Sequence, residues 1–132
     1  MSQLFAILFG LIFGSFLNVI IYRLPRKLFF SKLRSFCPYC KYQIPFYSNI
    51  PVISYLFQRG RCTNCKEAIS IQYPIIELLS ALIWGWASIN YGLYQGILFI
   101  WICSILLAIS LIDQETFIIP FPLILSALLG LL

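Results

Sequence analysis

Cys37-Pro-Tyr-Cys40, a spacer of about twenty residues, and Cys62-Thr-Asn-Cys65 lie in a basic segment between long apolar runs. All nine Lys and Arg residues fall between Arg23 and Lys66, so this segment holds the chain's whole positive charge and four of its five cysteines. Two C-x-x-C pairs at this spacing place four thiolates for tetrahedral ligation in the manner of a zinc ribbon, although the spacer is slightly longer than usual. Each pair makes a tight knuckle, and a metal joins the two. Two other readings compete. Two disulfides are disfavoured on a loop kept reduced in the cytoplasm, and redox activity of C-x-x-C needs only one copy. Four thiolates leave no open coordination position for a substrate, so zinc held by Cys37, Cys40, Cys62 and Cys65 is expected to be structural.

Outside this segment the chain is built for a bilayer. Of its 132 residues 61% are hydrophobic and only 10% charged, far from the soluble globular norm. The net charge of +5 does not point to nucleic acid, because the basic residues cluster beside apolar runs of spanning length instead of spreading over a surface. Histidine is absent, which removes Ser/His and Cys/His nucleophile pairs and His-ligated metals. Chemistry in this chain must use carboxylates, thiols or a partner's residues.

Leu4 to Tyr22 is an apolar run close to the length that crosses a hydrocarbon core of about 30 Å. It reads as a first transmembrane helix and not as a secretory signal, since no basic residue precedes it and no small-residue cleavage site precedes Arg23. Arg23, Arg26 and Lys27 follow the run, which puts the N-terminus outside and the next loop in the cytoplasm. A second run, Ile75 to Ile89, opens at Pro74, and proline suits a first helical turn. Asn90-Tyr91-Gly92 is a turn, Ile97 to Ile112 returns to the cytoplasmic side, and Asp113-Gln-Glu-Thr116 is a polar break there. Phe117 to Leu132 begins a fourth run without a polar cap, so the sequence reads as cut off. No internal repeat is evident. The expected fold is an all-α polytopic membrane protein with three transmembrane helices, the start of a fourth, and a small zinc-ribbon-like cytoplasmic loop between helices 1 and 2. Its parts are a transmembrane helix at 1–22, the basic double-CxxC loop at 23–73, and a helical bundle at 74–132.

Four acidic residues remain to be placed: Glu67, Glu77, Asp113 and Glu115. Ionisable groups at membrane depth are costly and mark function or pairing. Glu77, about one turn into its helix where the dipole favours an anion, is either a structural carboxylate, for which a loop Lys or Arg is an available partner, or a functional one. Asp113 closes an apolar run just inside the interface, where it is either a solvated helix-end aspartate or one half of a carboxylate pair. Two carboxyls held out of water can share a proton and activate water against a peptide bond. Glu115, two residues on, faces away if the helix continues. In the first helix Gly10, Gly14 and Asn18 share one face, which permits close helix approach and a hydrogen bond across it. Cys103 reads as a small buried hydrophobe.

These residues also carry a family resemblance. Gly14-Ser-Phe-Leu-Asn-Val19 into Arg23-Leu-Pro25, Cys37-Pro-Tyr-Cys40, Asn49-Ile-Pro51, Arg59-Gly-Arg-Cys62 with Cys65, Tyr73-Pro74 with Glu77-Leu-Leu79, and Leu111-Ile-Asp113 with Ile119-Pro120 occur in one order over nearly the whole chain. In that order they resemble the bacterial type IV prepilin peptidases, membrane aspartic proteases of the bacterial inner membrane. The resemblance implies removal of a short basic leader from prepilins or pseudopilins at the cytoplasmic face. In many members it also implies methylation of the new N-terminus from S-adenosylmethionine. It assigns Asp113 to the first of two catalytic aspartates and Cys37, Cys40, Cys62 and Cys65 to the zinc-binding set. The second aspartate of the family lies in a Gly-x-Gly-Asp motif that this sequence does not contain; Asp113 is its only aspartate. Ser48, Gln72 and Phe121 also stand where the family generally has an acidic residue, Arg and Asp. The expected function is that of the N-terminal half of such a peptidase. The alternatives are a non-catalytic or degenerate zinc-loop scaffold, and one half of a split enzyme completed by a separate C-terminal half.

Overall fold

The computed structural model describes residues 2–28, 35–45, 48, 50–117 and 121–131, and these form five α-helices and no strand. They are α1 (Ser2–Arg23), the short α2 (Ile53–Phe57), α3 (Gln72–Asn90), α4 (Leu93–Thr116) and α5 (Phe121–Leu131). Asn49 and the Ile119-Pro120 pair of the family pattern lie outside the described residues. The helices α1 and α4 are long and apolar enough to cross a membrane by length and composition. The 19-residue α3 does not pass the same test, because Gln72, Tyr73, Glu77 and Asn90 dilute its apolar content, and α5 has 11 residues.

The small residues of α1 set the packing. A Cβ built on Gly10 would lie 2.6 Å from the Ala81 Cα, and one built on Gly14 would lie 2.6 Å from the Glu77 Cα. Further along, the Asn18 amide donates to the Tyr73 carbonyl at 3.0 Å. Contacts step by four residues up α1 and four down α3, so the two helices run antiparallel with backbones nearly touching, as small-xxx-small faces allow. Leu17 and Ile21 of α1, Ile76 of α3, and Ala108 and Ile112 of α4 make the buried core. It lies at the end of the bundle that carries the basic loop. The helix α5 joins the outside of α4, where the Trp101 indole donates to the Ser126 carbonyl at 3.2 Å.

Gly14→Leu is expected to push α1 from α3 and cost about 1–3 kcal/mol, the usual penalty of overpacking a tight contact. Gly92→Leu supplies the control, since a Cβ there meets nothing within 4 Å. Unfolding of detergent-solubilised protein in graded SDS measures both, and equal midpoints would overturn this account of the interface.

Two sequence expectations change. The third apolar run was bounded at Ile97 and Ile112, but α4 extends from Leu93 to Thr116, so the expected polar break is helical. The helix stops only at Phe117, whose φ of 52° is left-handed and whose N–H donates to the Asp113 carbonyl at 2.8 Å. Asp113 therefore sits in the last turn of α4. The chain also contains a repeat that its sequence conceals, described next.

Candidate metal centre and carboxylate sites

Each C-x-x-C pair folds into the same knuckle. In the first, the Cys37 N–H donates to the Tyr42 carbonyl (2.9 Å) and the Lys41 N–H to the Cys37 carbonyl (3.0 Å). In the second, the Cys62 N–H donates to the Glu67 carbonyl (2.8 Å) and the Lys66 N–H to the Cys62 carbonyl (3.1 Å). Isolated antiparallel bridges flank each, Phe36 to Gln43 and Arg61 to Ala68. Ile44 donates to Ser35 and Ile69 to Gly60 one step further out. The repeat is thus C-x-x-C-K-x-x-I, too short and too sparse to stand out from the sequence. Lys41 and Lys66 hold equivalent left-handed conformations, φ 59° and 62°. A non-glycine residue there costs about 1–2 kcal/mol.

The knuckles face each other and bring all four Sγ atoms within 4.8 Å of one another. Cys37 and Cys65 are 3.8 Å apart and Cys40 and Cys62 are 4.0 Å apart. A tetrahedron with metal–sulfur bonds of about 2.3 Å has edges of about 3.8 Å, close to the two shorter separations, so the cluster suits a tetrahedral thiophilic ion that draws the remaining sulfurs in by up to about 1 Å. All five cysteines are free thiols. The Asn64 side chain and then the Tyr42 backbone lower the Cys40 thiol to about 6. The Cys65 and Asn64 backbone N–H groups lower Cys62. At Cys65 the Glu67 backbone N–H acts downward, but desolvation and the three neighbouring sulfurs outweigh it and push the thiol up to about 12. Charge accumulating on four close sulfurs is what a divalent cation would neutralise. The fifth thiol, Cys103, is half-buried in α4.

Glu77 is buried, and among the described residues, which do not include the loop's Lys32 and Arg34, no lysine or arginine pairs with it. Its Oε2 accepts the Val52 N–H at 2.7 Å, and Ser15 of α1 lines the same cavity as Glu77. A backbone donor satisfies the carboxylate because the Pro51-Val52 turn dips between the loop and α3. Val52 is at φ 58°, ψ −48°, and the Ile53 N–H folds back to the Pro51 carbonyl. This is a positive-φ γ-turn, strained for any β-branched residue. No sequence signal announces it.

Asp113 is exposed in the last turn of α4. Two residues on, Glu115 pairs with Arg26 at 3.4 Å, and Arg26 also stacks over the Tyr22 ring at 4.3 Å. That contact ties the end of α4 to the end of α1, so Asp113 and the cysteine knuckles share one end of the bundle. Sequence reasoning missed Arg26; the available signal was that it and Glu115 both flank spans on the same predicted side. The structure does not bring Asp113 to the cysteines. A cavity of about 460 Å³ separates the knuckles from the helix ends, lined among others by Asn18, Tyr22, Tyr55, Tyr73 and Glu77, and Asp113 is not part of it.

The family described as Bacterial Peptidase A24 N-terminal domain matches residues 8–91, which takes in most of α1, both knuckles and α3. Three proteins named prepilin leader peptidase/N-methyltransferase are similar to the chain. That of Stutzerimonas stutzeri is 36% identical over 96% of the chain and 53% of its own length. That of Pseudomonas aeruginosa is 36% identical over 96% and 52%, and that of Neisseria gonorrhoeae 34% over 87% and 49%. The chain spans about half the length of the curated relatives it matches. No solved structure matches it.

Proposed function

The chain belongs to the bacterial prepilin peptidase family and carries its N-terminal domain, and from that premise we propose that it forms the N-terminal half of a membrane aspartic endopeptidase. It removes the leader of type IV prepilins or pseudopilins at the cytoplasmic face of the bacterial inner membrane. In this reading α1, α3 and α4 all span, α5 begins a fourth crossing, the N-terminus is outside and the cysteine loop is cytoplasmic. The polar residues of α3 are consistent with spanning because Glu77, Ser80 and Gly85 lie on its buried side.

Cys37, Cys40, Cys62 and Cys65 would hold one zinc ion, whose role would be structural, since four thiolate ligands would fill a tetrahedral site and leave no position for a substrate. Asp113 is one catalytic carboxylate. A second, supplied by sequence other than these 132 residues, completes a pair in which one member takes a proton from water and the other gives one to the leaving amine. The methyltransferase part of the relatives' name brings S-adenosylmethionine in as the donor for the new N-terminus, with no residue of this chain assigned to it. The observation that carries the reading is the common end of the bundle shared by Asp113 and the metal loop, within a chain of this family. The competing scaffold reading, a zinc loop that binds pilins without cutting them, needs the same fold but no Asp113.

Sidedness tests the proposal. Inverted membrane vesicles bearing the full-length protein should cut an added prepilin, whereas right-side-out vesicles should not until they are permeabilised. Cutting from the right-side-out face would overturn the topology and, with it, the placement of Asp113.

A further inference from the structure

The outer face of α2 is apolar and uncovered. Ile53, Leu56 and Phe57, at i, i+3 and i+4, are 51%, 68% and 85% exposed, and the helix has no buried residue. Its other side is fixed to the second knuckle, where the Tyr55 hydroxyl donates to the Ile69 carbonyl and lies against Gly60. Directly after it come Arg59, Arg61 and Lys66, all exposed, which share a shallow concavity with Phe57.

The depth of this face follows from the Glu77 contact. Glu77 packs at Gly14, beside Ser15, which lies eight residues short of the Arg23 end of α1. At 1.5 Å per residue that is about 12 Å along the helix. The Pro51-Val52 turn, bonded to Glu77, therefore lies beside the final turns of α1 and not beyond them. From there α2 continues with its apolar face outward. A loop standing free in water would have no reason to place three large apolar side chains at that level.

We propose that this face of the loop is a docking surface for an anionic phospholipid bilayer. Ile53, Leu56 and Phe57 enter the acyl boundary of the cytoplasmic leaflet, and Arg59, Arg61 and Lys66 meet the headgroup phosphates. The inference rests on the membrane reading of α1 and α4. A bilayer is favoured over a protein partner because the charged residues that share the concavity with Phe57 are all cationic and so complement headgroup phosphates. The consequence is that the second knuckle is held against the membrane surface.

Depth measurement by nitroxide collision tests it. The label is attached through p-acetylphenylalanine, which leaves the cysteines untouched, at position 57, at position 12 on the exposed side of α1, and at Tyr39 in the first knuckle. The full-length protein is reconstituted in vesicles of phosphatidylethanolamine and phosphatidylglycerol, with metal content equal to that of the unlabelled protein. At 57 and 12, oxygen collisions should exceed those of a neutral nickel chelate several-fold, and at 39 the order should reverse. Nickel access at 57 equal to that at 39 puts the loop in water and overturns the docking. Shielding of 57 from both reagents means a protein covers the face and overturns the lipid occupant. A label at 12 open to nickel overturns the membrane reading beneath the proposal. The variant R59E/R61E/K66E should lose most of the oxygen preference at 57 while keeping it at 12. An unchanged preference would overturn the headgroup role of the three cations.

Discussion

Asp113→Asn is expected to lower the rate of leader cleavage about 10⁴-fold, the upper end of what a general acid or base contributes, because a carboxylate pair acts as a unit. At 1.36 kcal/mol per factor of ten this is about 5.5 kcal/mol of transition-state stabilisation. The substitution is well suited to separating chemistry from folding. The Asp113 side chain is exposed, and the contribution of this residue to the end of α4 is its backbone carbonyl, which accepts from Phe117 and which asparagine retains. Prepilin binding, metal content and SDS-unfolding midpoint should therefore be unchanged while cleavage disappears. Glu115→Gln is the matched control. It breaks a half-exposed pair with Arg26, worth roughly 0–1 kcal/mol, and should cost less than about tenfold in rate on that scale. Cleavage at the wild-type rate by the Asp113→Asn protein would sink the catalytic assignment, and absence of cleavage by the unsubstituted protein would leave the scaffold.

The second large effect is expected at the knuckles. Purified under reducing conditions, the protein should carry about one zinc per chain, four thiolates making one closed site. Cys62→Ser should remove nearly all of it, since it deletes a buried ligand that stands 4.0 Å from Cys40, close to a tetrahedral edge. Metal-binding free energy in such small modules is folding free energy, on the order of 10 kcal/mol. Without it the left-handed Lys41 and Lys66 have little to hold them. Elemental analysis reads the metal, and limited proteolysis reads the loop, which should become cleavable between Phe36 and Ile69 while α3 and α4 stay intact. Ligand thiols must lose their protons to bind, so acid should release the metal and base should not. A Cys62→Ser protein with undiminished zinc and a protected loop would remove the metal from the account.

What could be read from the sequence divides along physical lines. Hydropathy placed α1 and most of α4, because an apolar run of that length has few other uses. C-x-x-C spacing located the cysteine cluster, since four sulfurs at two knuckles is a local property of the chain. The Gly10, Gly14 and Asn18 face was legible for the same reason: a four-residue period survives translation into a helix. The end of α4 was not, because polar residues after an apolar run look like a break even when the helix has another turn to give. The acceptor role of Glu77 toward Val52 was hidden more deeply. It joins residues 25 apart through a backbone N–H, which every residue but proline possesses and which composition therefore cannot flag. The helix α2 was visible only as a short apolar piece of loop; its significance depends on depth, and depth comes from the contacts of another helix.

The two knuckles are alike in backbone and in ligand spacing, so the site is built from two equal halves, one on either side of α2. The stretch from Val52 to Arg61 leads into the second half and is pinned at its start by the Glu77 carboxylate of α3. The anchorage of the cysteine site to the helices thus runs through one buried carboxylate and one backbone N–H, in a segment that carries no cysteine.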